Sequence, residues 1–147
     1  MTGETEYRLG VRETSDKQLT GMAGEFLVVG QLFKREIQAS LTIGNAKGVD
    51  VLAFNPSTGK TFTVEVKTVR KPNSFIIKSA RIQTERIYVF VVLNAPGCPE
   101  AFYIVPGAEI LANLTGFFGG SLMYADRQAI NRGPLAQYKD NWKAFEA

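Results

Sequence analysis

Three residues in the middle of the chain have types and spacing suited to chemistry: Asp50, Glu65 and Lys67. In an extended segment alternate residues share a face, so Glu65 and Lys67 project side by side from Thr61–Val69. Asn55-Pro56-Ser57-Thr58-Gly59-Lys60 is a turn-forming stretch, and a hairpin folded symmetrically about Ser57 and Thr58 sets Phe54 opposite Thr61, Leu52 opposite Thr63 and Asp50 opposite Glu65. Directly opposed residues point the same way. Two carboxylates at that separation repel and resist desolvation unless a cation lies between them, and carboxylate oxygens are the hard ligands that Mg2+ prefers. A magnesium ion keeps several waters, so one of them could be polarised towards hydroxide while the ion neutralises charge on a phosphate under attack. Lys67 would orient that water or take its proton. The plainer reading of the triplet is a surface Glu–Lys pair, since an acid, any residue and a lysine arise by chance about once in a chain of this length.

Glu25 is a third acid, set among Ala23, Phe26, Leu27, Val28 and Val29, company in which a carboxylate needs a partner. That partner is either the same cation or a basic side chain. The chain contains no histidine, which removes Ser-His-Asp and Cys-His nucleophilic catalysis, histidine-ligated zinc and histidine general bases. Cys98, the single cysteine, sits in the turn-like Ala95-Pro96-Gly97-Cys98-Pro99 and is incidental. The net charge is only +3, but it is uneven. Between residues 67 and 86 stand Lys67, Arg70, Lys71, Lys78, Arg81 and Arg86 against Glu85 alone, an excess that suits either a polyanion or a solvated basic face.

The elements that must position these residues are legible as periodicity. Leu19, Met22, Phe26, Val29, Phe33 and Ile37 recur at three- and four-residue steps from Ser15 to Ile37, predicting one long helix with that stripe as its packing face and Ser15 or Asp16 as N-cap. Strands are predicted at Ser40–Ile43, Val49–Phe54, Thr61–Val69, Ser74–Ile77, Ile87–Leu93 and Ala101–Val105, the fifth buried on both faces. A short helix at Gly107–Leu114, a loop at Gly116–Gly120 and a terminal helix at Leu135–Phe145 complete the expectation. With 147 residues, 45% hydrophobic and 21% charged, the chain is expected to be one domain, residues 1–147, with 1–14 a flexible segment. No apolar run approaches the ~20 residues of a membrane span and the N-terminus lacks the layout of a secretion signal, so a cytoplasmic protein is expected.

Gly24-Glu25 on the first helix, Gly48-Val49-Asp50 opening a strand and Glu65-Val66-Lys67-Thr68 on the next resemble the motifs of the PD-(D/E)XK nuclease superfamily, which includes restriction endonucleases and archaeal-type Holliday junction resolvases. The matching stretch covers about the first half of the chain. The resemblance implies an α/β (α+β) restriction-endonuclease-like fold with an αβββαβ core, a mixed sheet flanked by helices. It also implies Asp50, Glu65 and the Val66 carbonyl as ligands of Mg2+ or Mn2+, Lys67 as base or water-orienting group, and Glu25 as an auxiliary acid. Val49 stands where the family name has proline, and Arg70-Lys71-Pro72-Asn73 leaves little room for a helix after the motif strand.

The expectation is thus a metal-dependent DNA endonuclease, acting on duplex or branched DNA, with a homodimer as a means of cutting both strands. Thr68, Arg70, Lys71, Asn73, Lys78 and Arg81 are its candidate nucleic-acid contacts, residues that position a backbone without reading bases. The alternative is a non-catalytic nucleic-acid-binding or structural module that keeps the fold.

Overall fold

Ser15 starts the first helix, α1 (Asp16–Lys34), by a capping box: its hydroxyl accepts from the Gln18 amide, and the Gln18 side chain accepts from the Ser15 amide. Asp16 in the first turn and Lys34 in the last both complement the helix dipole. The structure, a computed structural model, describes residues 15–42 and 48–147; the expected flexible segment 1–14 and the end of the strand expected at Ser40–Ile43 fall outside the described residues.

The packing face of α1 differs from the expected stripe. Gly24, Val28 and Leu32 are the buried residues, while Leu19, Met22, Phe26 and Phe33 are about half exposed. Val29 is half-buried, and Ile37 is buried only after the helix has ended. The reason is steric. Gly24 rides directly on Thr68 of the strand below, where a β-carbon would collide with the threonine hydroxyl, so the helix settles on its smallest row. Because both rows of this helix are apolar, periodicity alone could not choose between them.

After the helix come β1 (Gln38–Leu41), β2 (Val51–Asn55) and β3 (Lys60–Val69), an antiparallel meander. Gly59, at φ +74°, closes the β2–β3 turn, and the buried Asn55 steadies it by accepting from the Ser57 amide and donating to the Phe145 carbonyl at 2.8 Å. Between β3 and β5 (Arg86–Val92) the chain makes a crossover of β4 (Phe75–Ile76) and a 3-10 turn at Ser79–Arg81, with no α-helix there, as Pro72 and its neighbours foretold. β6 (Ala101–Pro106) follows, and the sheet order is β1-β2-β3-β5-β6, with β3–β5 its parallel pair.

β5 is the centre of the molecule. Val89 and Val91 face α1 together with Val28, Leu32, Val64, Val66, Trp142 and Phe145, whereas Tyr88, Phe90 and Val92 face a second core with Phe75, Ile110, Phe118 and Ile130. Each such side chain contributes roughly 1.5–3 kcal/mol by leaving water. The second core is roofed by α2 (Gly107–Ala112), α3 (Leu114–Phe118), a 3-10 turn at Gly119–Met123, and β7 (Ala129–Ile130), which pairs with β4. The loop expected at Gly116–Gly120 is therefore partly helical. The terminal helix expected at Leu135–Phe145 is instead broken: α4 (Arg132–Leu135) and 3-10 turns at Ala136–Tyr138 and Trp142–Glu146 flank a segment that lies along β6. There the Asp140 amide bonds the Phe102 carbonyl and the Asn141 side chain bonds the Ile104 carbonyl, and Asp140 turns at φ +52°. Covering the open edge of β6 outweighs continuing the helix. Among the described residues no helix is long and apolar enough to cross a membrane.

Candidate active site

The hairpin register is the one read from the turn. Phe54 pairs with Thr61, Leu52 with Thr63 and Val51 with Val64, but the ladder ends there: the Asp50 amide also turns to the Val64 carbonyl, so the expected pairing of Asp50 with Glu65 is replaced by a bulge at which Asp50 and Val51 both meet Val64. Asp50 stands just before β2, held on both sides by its backbone: its amide donates to Val64 and its carbonyl accepts from Thr42. Its carboxylate then crosses to β3, where Oδ2 accepts the Val66 amide at 2.8 Å. The ladder ends at Val51–Val64, so the Val66 carbonyl, on the same side of β3 as its amide, lies beyond the last ladder partner.

Glu65 is one of the two buried polar or charged side chains in the described core, 8% exposed. Its two oxygens are shared between cations. Lys67 Nζ lies 3.4 Å from Oε2 and Arg86 Nη1 lies 3.5 Å from Oε1. Parallel pairing of β3 with β5 delivers the arginine: Arg86 pairs with Thr63 and Tyr88 with Glu65, so Arg86 shares the Glu65 face of the sheet. Tyr88 is fully buried beneath, and its hydroxyl accepts the Gln83 amide, anchoring the chain just before Arg86. Gly48, at φ +72°, passes over the pair so closely that a β-carbon would strike Arg86 Nη1 and lie 3.0 Å from Glu65 Oε1. Arg86 Nε is buried without a hydrogen-bond partner in the described structure.

Electrostatics tie the three acids together. Burial pushes the Glu65 carboxyl above its ordinary value; Lys67 and Arg86 pull it down and the Asp50 charge pushes it up further. Glu25 is raised as well, first by burial and then by Asp50. The helix thus brings Glu25 within electrostatic reach of Asp50, and none of the ion pairs among the described residues includes Glu25. No group of three acid, cysteine or histidine ligands among the described residues converges closely enough to form a ready cage. The donors that fit a hard divalent ion are instead two carboxylates and one backbone carbonyl, a partial set of the kind Mg2+ completes with water.

Of the candidate nucleic-acid contacts, Thr68, Arg70, Lys71 and Asn73 line one cleft of about 640 Å3 between the first turns of α1 and the end of β3, together with Lys67 and Lys17. Thr68 contributes little polarity, since its hydroxyl is buried under Gly24 without a partner. Lys78 and Arg81 lie outside this cleft, exposed on the crossover. Arg86 and Lys17 were the residues that sequence reasoning passed over. Arg86 appeared only as one charge in a basic run, and no local signal marks a parallel register.

A mixed sheet entered through an antiparallel meander, with a long helix packed across its first strands, is the restriction-endonuclease-like fold. Among solved structures the chain is similar to the bacterial homing endonuclease I-Ssp6803I, at 15% identity and a TM-score of 0.57 over 90% of this chain and 95% of that one. It is similar also to Hjc, a Holliday junction resolvase from Archaeoglobus fulgidus, at 14% identity and a TM-score of 0.51 over 80% of this chain and 93% of that one. No family model and no curated protein sequence matches.

Proposed function

We propose that this protein is a DNA endonuclease that hydrolyses phosphodiester bonds with a water activated by Mg2+ or Mn2+. The observation that carries the reading is the gathering of two acids and a lysine where the β2–β3 ladder ends, Asp50 fixed by the Val66 amide and Glu65, within reach of the Asp50 charge, paired with Lys67. The fold shared with a homing endonuclease and a Holliday junction resolvase supports DNA, duplex or branched, as substrate, and a homodimer cutting two strands belongs to the same reading.

Asp50, Glu65 and the Val66 carbonyl would hold the ion, which when bound supplies charge neutralisation at the phosphate and a water of lowered pKa. Asp50 keeps one oxygen on the Val66 amide and offers the other. Glu65 is steadied by Arg86 at Oε1 and by Lys67 at Oε2, and would be the second carboxylate to hold the ion. Lys67, 36% exposed at its side chain, would orient the attacking water or accept its proton. Glu25 adds negative charge at the rim of the site. Arg70, Lys71 and Asn73 would seat the phosphate backbone alongside.

The same ion pairs on Glu65 favour a second reading, a non-catalytic nucleic-acid-binding module in which Lys67 and Arg86 neutralise the buried acid permanently. Nicking of plasmid DNA in Mg2+ or Mn2+ decides between the two. The endonuclease reading expects cleavage that disappears in Asp50→Ala; cleavage that persists in that variant refutes the assignment of the site. Linear, single-stranded and four-way substrates then define the class of DNA.

A further inference from the structure

The small sheet of β4 and β7 carries an exposed patch that the endonuclease site does not use. Met123 and Ile76, 82% and 80% exposed, are the most exposed large apolar side chains among the described residues. Ile76 stands between the buried Phe75 and Ile77, so its neighbours anchor β4 while it turns outward. Tyr124, half exposed, follows Met123, and the Arg127 guanidinium lies 5.1 Å from the centre of its ring. Gln128 ties the two segments together. Its backbone carbonyl accepts the Ile77 amide, its side-chain oxygen accepts the Ser79 amide at 2.8 Å, and its side-chain nitrogen donates to the Leu122 carbonyl at 3.0 Å. Lys78, between Ile77 and Ser79, and Met123, next to Leu122, are thereby held on one surface with Arg127. In residues 76–81 and 123–128 the exposed cations Lys78, Arg81 and Arg127 stand against a single acid, Asp126, which pairs with Arg127 at 3.5 Å.

We infer that this patch is a second DNA contact, at which Ile76 and Met123 enter a base step, Tyr124 stacks on the base so uncovered, and Lys78, Arg81 and Arg127 meet the flanking phosphates. Isoleucine and methionine are among the side chains that wedge between base pairs, and cations beside them suit the phosphates of the same step. Three apolar side chains are too few to bury the ~800 Å2 per side of a stable protein interface, and a second copy of this chain would bring cations onto cations. Position agrees with this occupant. Asn73 lines the cleft that holds Arg70 and Lys71, and Ile76 follows it by three residues, ~10 Å of chain at most. At about 3.4 Å per base pair, the wedge falls within roughly three base pairs of a backbone seated in that cleft. Entering a base step costs its stacking, so DNA whose stack is already broken, at a bulge or a branch, is favoured over an intact duplex. The inference rests on the endonuclease reading for DNA as the ligand and adds to it the class of DNA preferred.

The test measures binding without cleavage: fluorescence anisotropy of the full chain in EDTA, on two labelled duplexes that differ only in a central bulge of unpaired adenines. The bulged duplex is expected to bind at least ~10-fold more tightly. Replacing both wedge residues, Ile76→Ser with Met123→Ser, is expected to abolish that preference while affinity for the intact duplex stays within about twofold and the thermal melt is unchanged, since both side chains lie outside the core. Lys78→Gln and Arg127→Gln are expected to weaken both duplexes alike and each to lower the slope of log affinity against log salt by about 1. Equal affinity of the wild-type chain for the two duplexes, or a preference that survives in the double serine variant, would overturn the proposal. So would binding to phosphatidylserine vesicles without discrimination between the duplexes, which would assign the patch to a membrane surface. Plasmid nicking in Mg2+ separates this inference from the reading beneath it: nicking without discrimination removes the wedge and leaves the endonuclease, and discrimination without nicking does the reverse.

Discussion

The Val66 amide donates to the Asp50 carboxylate at 2.8 Å, so the acid at the end of one strand completes the hydrogen bonding of the next. Where a further residue of β2 would have bonded Val66, a side chain does so, and the ladder between β2 and β3 stops at the acid.

Asp50→Asn keeps the shape and loses the charge, whereas Asp50→Ala loses the Val66 bond as well. Both are expected to lower cleavage by at least ~100-fold, as loss of a metal ligand does. Only the alanine variant should also cost about 1 kcal/mol of stability for the unpaired amide. Paired nicking assays and denaturant melts separate the two effects.

Arg86 acts on the site through Glu65. Arg86→Met is expected to weaken Mn2+ binding by about 10- to 100-fold in calorimetry, the usual consequence of removing a group that orients a carboxylate ligand. Arg86→Lys should restore part of it. Affinity unchanged in both variants would reduce the arginine to a structural neighbour.

Gly24 and Gly21 stand three residues apart on α1 yet answer differently to a methyl group. Gly24→Ala meets the Thr68 hydroxyl and is expected to cost about 1–3 kcal/mol, while Gly21→Ala, with nothing within 4 Å, should gain up to ~1 kcal/mol from helix propensity. Equilibrium unfolding of both variants tests the contact that brings α1 onto β3.

Glu25 and Glu65 both sit above the ordinary carboxylate value because burial disfavours their charge. A carboxyl with a raised folded pKa binds its proton more tightly in the native state, so its contribution to stability is greatest below the unfolded value of about 4.5 and is lost as pH rises through the folded one. The metal-free protein is therefore expected to lose stability on going from the mildly acidic range to neutrality. Glu65→Gln should flatten that profile, and saturating Mg2+ should reverse it. Melting temperature against pH, with and without the ion, checks the sign.

What the sequence disclosed follows from the range of the interactions concerned. The β2–β3 register was legible as far as Val51 because Asn55–Lys60 sets it within a few residues, but the bulge that turns the Asp50 amide to Val64 beyond it carried no local signal. The packing face of α1 was not legible: two apolar rows compete on that helix, and a collision between Gly24 and Thr68, over forty residues apart, decides which one turns inward. Arg86 was hidden for a related reason, since a parallel pairing is fixed by the whole crossover and by nothing local. The C-terminal segment carried helical periodicity in Tyr138, Trp142 and Phe145, but the open edge of β6 claims its backbone through Asp140 and Asn141.

The bond from Asn55 to the Phe145 carbonyl, backed by the edge-on rings of Phe62 and Phe145 at 5.3 Å, has a consequence in time as well as in space. The hairpin bearing the acids is made early, but its clasp is made some ninety residues later, after more than half the chain has followed. At ~5–20 residues per second that is an interval of several seconds. Over that interval a nascent chain on the ribosome holds its acids on a hairpin that has not yet been fastened.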